Sequence, residues 1–170
     1  MMKRIFATTA TAGLLLLTPL GSAAASADAP GGGVLGPNGY KSLHLGQSEH
    51  EAEQTGLLVD KQSGGGCAIY HLRPAEGKPN PGGGVFIESR KGVAMITGTH
   101  LIRTPEGVTM GTGLDRVKAA YPRLKKIDDW IFETPAPGGE HGERYRIAFD
   151  DRDKVSDFAL EAADRGRCDS

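Results

Sequence analysis

The residues that could do chemistry come close to several known patterns and complete none of them. His50-Glu51-Ala52-Glu53-Gln54 nearly spells the H-E-x-x-H zinc helix, but Gln54 stands where the second imidazole belongs. Zinc needs both imidazoles on one helical face, so the segment reads as solvated helix surface. Gly46-Gln47-Ser48-Glu49-His50 imitates a nucleophile elbow without its final glycine or the buried strand that precedes it. Ser48 reads instead as a helix N-cap. The remaining histidines, His44, His71, His100 and His141, fit no metal-ligand spacing. Asp150, Asp151 and Asp153 surround an expected turn but lack the glycine and distal glutamate of a Ca²⁺ loop. Asp128 and Asp129 are consecutive in an expected strand, so one face would present only one carboxylate. The glycine runs beginning at 31, 64 and 82 are not followed by Lys-Ser/Thr and do not form a phosphate cradle. No catalytic residue, metal ligand or cofactor is assigned, and the expectation is a non-enzyme.

Two other sets of residues carry more. Trp130 and Phe132 share one face of an expected strand from 127 to 134, with Ile131 on the other. If Ile131 points to the core, the two aromatics form an outward contact patch for a partner. If they point inward, as the cost of leaving such rings in water favours, Ile131 is peripheral. The only cysteines are Cys67, which follows Gly64-Gly65-Gly66, and Cys168, which sits in a polar tail, and neither setting reads as a catalytic thiol or a metal pair. In an oxidising compartment such a pair is expected to form a disulfide tying the C-terminal tail to a strand.

An oxidising destination is what the first residues imply. Lys3 and Arg4, the apolar stretch from Ala12 to Leu17 with Leu20, and the small residues Ala23 to Ala27 follow the order of a secretory signal peptide. The apolar stretch is too short to span a bilayer. Cleavage after Ala27 leaves residues 28–170, enough for one domain with a core. It also removes two positive charges from a chain whose net charge is −1. The mature chain has no basic stripe, so nucleic acid is not an expected partner. The expected location is extracellular or in the cell envelope, with no transmembrane segment after cleavage.

The elements that would position these residues come in a repeated order. Residues 28–38 read as a flexible Gly/Pro lead-in. In residues 39–103, an extended segment from 40 to 45 leads to a glycine turn at Gly46. A short helix follows, opened by the Ser48/Glu51 capping box and ended near Gly56. Strands are expected at 67–72, 84–89 and 93–97, with a Pro/Gly-rich loop over 74–83. Residues 104–165 repeat the order. Gly111 turns the chain, Thr112 caps a helix carrying Leu114, Val117 and Tyr121, and Pro122 stops it. Strands follow at 127–134, 145–149 and 155–160, with a loop over 135–143. The last could be helical on propensity, but the repeat favours strand. Gly46 and Gly111 share an offset with Leu43/Val108 and Leu45/Met110, and Val85/Ile147, Ile87/Phe149 and Val93/Val155 share another. The expected fold is α+β: a single domain of two αβββ repeats, with short helices packed on a mainly antiparallel sheet.

Leu43-His44-Leu45-Gly46-Gln47-Ser48 and Val108-Thr109-Met110-Gly111-Thr112-Gly113, each entering a short helix before a β-meander, resemble the β-lactamase inhibitory protein fold. They also resemble the outer-membrane assembly lipoproteins of the SmpA/OmlA type. The resemblance implies a binding protein that grips its partner through a sheet face and loops. Gln47 and Thr112 stand where those families typically have Met, and the lipobox cysteine of the lipoproteins is missing. The functional expectation is a secreted, non-catalytic module binding an extracellular or envelope protein, as inhibitor or adaptor. The alternative is a small secreted hydrolase or cell-wall-associated enzyme.

Overall fold

The computed structural model describes residues 32–169. The expected signal peptide, residues 1–27, lies outside them. Strands β1 (Leu35–Gly36), β2 (Gly39–Tyr40) and β3 (Leu43–His44) form a small antiparallel sheet. Helix α1 (Glu49–Gln54) follows, then β4 (Leu58–Gly64), β5 (Cys67–Leu72), β6 (Val85–Glu88) and β7 (Gly92–Thr97). Helix α2 (Leu114–Ala120) precedes β8 (Lys125–Lys126), β9 (Ile131–Pro135), β10 (Arg144–Phe149) and β11 (Val155–Glu161). The last eight strands make one antiparallel sheet in the order β4-β5-β6-β7-β11-β10-β9-β8. The domain is therefore α+β, with sheet dominating two short helices.

Alternation decides which face is covered. On β5, Ala68, Tyr70 and Leu72 are buried, and on β10, Tyr145, Ile147 and Phe149 are. These residues join Ala52 of α1, Val117 of α2 and Leu35, Tyr40 and Leu43 of the small sheet in one core cluster. The intervening residues Ile69, His71, Arg144 and Arg146 are half-buried on the opposite, outer face. Each large apolar side chain moved from water to this core contributes roughly 1.5–3 kcal/mol. Neither helix is long enough to persist without that burial.

The two helix entries are built by the same hydrogen bonds. Gly46 N–H donates to Val93 O and Val93 N–H to Gln47 O, each 2.8 Å. Gly111 N–H donates to Val155 O (2.8 Å) and Val155 N–H to Thr112 O (2.9 Å). Both glycines have positive φ, +80° and +81°, where a Cβ would be strained. Gln47 Oε1 accepts from His44 N–H, and Thr112 Oγ1 accepts from Thr109 N–H. The following hairpin turns are also closed alike. Glu88 accepts the N–H groups of Arg90 and Lys91, and Asp150 those of Arg152 and Lys154.

Several expectations need correction. Residues 28–38 are not all a lead-in. Val34 bridges Arg103, Leu35 is fully buried, and Tyr145 Oη donates to Leu35 O at 2.8 Å. Two apolar residues suffice to fill a core slot, so the ordered domain begins before residue 39. Thr112 is not the α2 cap, because its hydroxyl is occupied by Thr109 N–H and Gly113 takes the N-cap position. The expected 127–134 strand begins only at Ile131, since residues 127–130 form a turn. Each helix is followed by four strands rather than three: polar, exposed β4 and two-residue β8 carry little of the alternation that marks a half-buried strand. The Ser48/Glu51 capping box is present, and 155–161 is a strand.

Cys67 and Cys168 form a disulfide with Cα atoms 5.4 Å apart, closing a separation of 101 residues. It fastens the C-terminal 3₁₀ turn (Gly166–Asp169) to the sheet. None of the helices among the described residues is long and apolar enough to cross a membrane.

Candidate partner-binding site

The turn between β8 and β9 is held from several sides. The N–H groups of Ile127 and Asp128 both donate to Ile131 O. Asp128 Oδ1 accepts from Trp130 N–H and Ile131 N–H, each at 2.8 Å. Trp130 O in turn accepts Phe149 N–H at 2.9 Å, tying the tip to β10. An aspartate bonding its own backbone two and three residues on is a turn-forming device. Here it fixes the backbone on which Trp130 stands. Trp130 is 55% exposed and Ile127 57%, the exposed large hydrophobic side chains among the described residues.

Phe132 does not share that position. It is half-buried and meets Phe149 edge to face, ring centroids 5.2 Å apart. It pairs with Ile147 across the strands, whereas Ile131 pairs with Ala148. The two aromatics therefore divide, one supporting the core and the other meeting solvent.

Beside this tip lies an open cleft of about 580 Å³, between the α2–β8 connection and the loop before β10. Leu124, Ile127 and Pro135 supply apolar wall, and Arg123, Lys125 and Arg144 supply positive charge. Arg144 is already engaged, with Glu133 at 3.6 Å and Glu161 at 3.2 Å. Arg123 and Lys125 are exposed and have no ionic partner among the described residues.

Further along the outer face, Glu161 is 0% exposed and surrounded by arginines. Arg165 Nη1 lies at 2.9 Å, Arg144 Nε at 3.2 Å and Arg146 Nε at 3.7 Å. Burial nevertheless raises its carboxyl above the ordinary range against these three cations. Asp157, four residues earlier on the same face of β11, is pushed up to about 6 by burial, partly opposed by Arg146. Its Oδ1 is buried without a hydrogen-bond partner. Asn80, from the Pro/Gly-rich loop, crosses to donate to Ser156 O.

In the 3₁₀ turn Pro74–Glu76, Glu76 is buried beneath Tyr40 of the small sheet, whose hydroxyl donates to it at 2.5 Å. Burial pushes its carboxyl upward, but hydrogen bonds from Lys41, Tyr40 and Arg73 outweigh that and bring it to about 2. In a second, 370 Å³ cleft, His71 Nδ1 stands 3.7 Å from Asp60 Oδ2, with Val59, Pro79 and Asn80 also lining it. No serine, threonine or cysteine lines that cleft. His50 shares a hydrogen bond with its helix neighbour Gln54. No group of three or more potential metal-ligating side chains is assembled among the described residues.

Sequence reasoning singled out Trp130 but missed Ile127 and the cationic cleft. The available signal was the mixed run Arg123-Leu-Lys-Lys-Ile127, in which basic residues are interspersed with apolar ones without any acidic residue. Compared with protein-family models, curated proteins and solved structures, the chain matches none of them.

Proposed function

We propose that this chain is an exported, non-catalytic module that binds an extracellular or cell-envelope protein, as an inhibitor or adaptor. The observation that carries the reading is the presentation of Trp130. A side chain of that size is costly to leave in water, yet the turn beneath it is fastened by Asp128 and β10. A rigid, exposed aromatic beside a second exposed hydrophobic is the form taken by binding hot spots, because little conformational freedom remains to be lost on contact. The disulfide is compatible with an oxidising location. We read the domain further as two copies of one unit. The support is the recurrent Gly–Val and Gln47/Thr112 hydrogen bonding and the mirror-like strand order about the β7–β11 pair.

The test uses the oxidised protein lacking residues 1–27, immobilised and exposed to secreted and envelope fractions of the producing cells. Retained proteins are purified and their affinity measured by calorimetry against wild type, Trp130→Ala and an α1 surface control, Glu53→Gln. The expected result is one partner bound by wild type and control and weakened at least tenfold by Trp130→Ala. A partner insensitive to Trp130, or none at all, overturns the reading.

A further inference from the structure

We infer that the cleft beside Trp130 takes an acidic, partly apolar peptide segment of the partner, a refinement that rests on the module reading above. The cleft combines Arg123, Lys125 and Arg144 with a single acidic lining residue, Glu133. Arg144 and Glu133 lie 3.6 Å apart and largely neutralise one another. Arg123 and Lys125 remain exposed and make no salt bridge among the described residues, although Lys125 stands opposite Glu133 in the ladder. An anionic partner is favoured there both on approach and on contact.

The apolar wall excludes a simple ion as the whole ligand. Leu124, Ile127 and Pro135 offer surface that a free phosphate or acetate would leave wet. Ile127 belongs to both the cleft wall and the Trp130 tip, so the two features form one continuous surface. The adjoining edge strand is not a template for strand addition. β8 has two residues, both lysines, the short and charged form that resists edge pairing. A segment in the cleft is therefore held by side chains: an apolar residue against Leu124 and Ile127, and carboxylates toward Arg123 and Lys125.

The probes are three peptides, acetyl-Glu-Leu-Phe-Glu-amide and the same sequence with Gln or Lys in place of Glu. Each is titrated into the isotopically labelled oxidised protein at low salt while backbone resonances are followed. The Glu peptide is expected to shift Leu124, Ile127, Thr134 and Gly142 and to bind at least tenfold more tightly than the Lys peptide. The Arg123→Glu, Lys125→Glu double variant, altered only at exposed positions, should reverse that order. Raising the salt to about 0.3 M should weaken the Glu peptide severalfold. Equal binding of the three peptides, shifts confined to other surfaces, or no shift at millimolar peptide overturns the inference. So does charge-dependent binding to phosphatidylglycerol vesicles without peptide binding, which would make the patch a membrane contact. The two readings fail separately. Inert peptides with Trp130-dependent capture remove only the cleft, whereas peptide binding without a Trp130-dependent partner removes the module.

Discussion

Replacing Asp157 with asparagine isolates the cost of holding a carboxylate under the Asn80 loop. Burial raises this group from an ordinary value of 3.8 to about 6. The folded chain thus holds the proton more tightly than the unfolded chain. Its contribution to stability is most favourable below about pH 4, declines as pH rises, and is lost above about pH 6. At about 1.36 kcal/mol per pK unit the full difference approaches ~3 kcal/mol, and partial exposure reduces this to about 1–2 kcal/mol. Asparagine keeps the shape without the charge. Asp157→Asn should therefore be more stable than wild type by about 1–2 kcal/mol at pH 7.5, with a midpoint some 3–6 °C higher. The gain should vanish near pH 4, where the wild-type group is protonated. Urea unfolding at both pH values measures the difference directly, and carboxylates common to both proteins cancel. A gain of equal size at both values, or a loss at pH 7.5, would refute the assignment of the cost to charge burial.

Other expected outcomes follow from the packing. Gly98→Ala would place a Cβ 2.2 Å from the ring of buried Phe158, so thermal unfolding should show a loss of about 1–3 kcal/mol. Removing the disulfide as Cys67→Ala, Cys168→Ala should cost about 2–5 kcal/mol in denaturant titrations. The carboxyl of Glu76 is held at about 2, so the stability it contributes is present above its ordinary value of 4.5 and lost as pH falls toward 2. Glu76→Gln should flatten that acid limb in a pH series of melts and cost about 1–3 kcal/mol at neutral pH.

The central strands were legible because burial on one face imposes alternation: Val85 and Ile87, or Tyr145, Ile147 and Phe149, leave a period that single residues reveal. Ser48 and Glu51 were legible because both halves of a capping box lie within four residues. Strand β4 was not, since its exposed residues from Asp60 to Gly64 are ordered by pairing with β5 rather than by their own pattern. Leu35 was hidden by its glycine-rich surroundings, and its burial depends on Tyr145, far along the chain. The site was half visible. Trp130 stands out by type, but its separation from Phe132 depends on where the Asp128 turn ends and β9 begins. The cleft could not be read at all, because it is formed by α2's exit, β9 and the loop before β10 coming together.

The β7–β11 pairing has a consequence for how the molecule forms and comes apart. Three residue pairs join these strands, Thr97 with Ala159, Ile96 with Leu160 and Met95 with Glu161, whereas β10 and β11 share six. Every other pairing in the large sheet is made within one side of this line. Zipping it requires closing a loop of about sixty residues, an entropic step that local hairpins avoid and that slows folding. The Cys67–Cys168 bridge links the two sides across the same line. Under mechanical load or on reduction, the seam is where the sheet should part first.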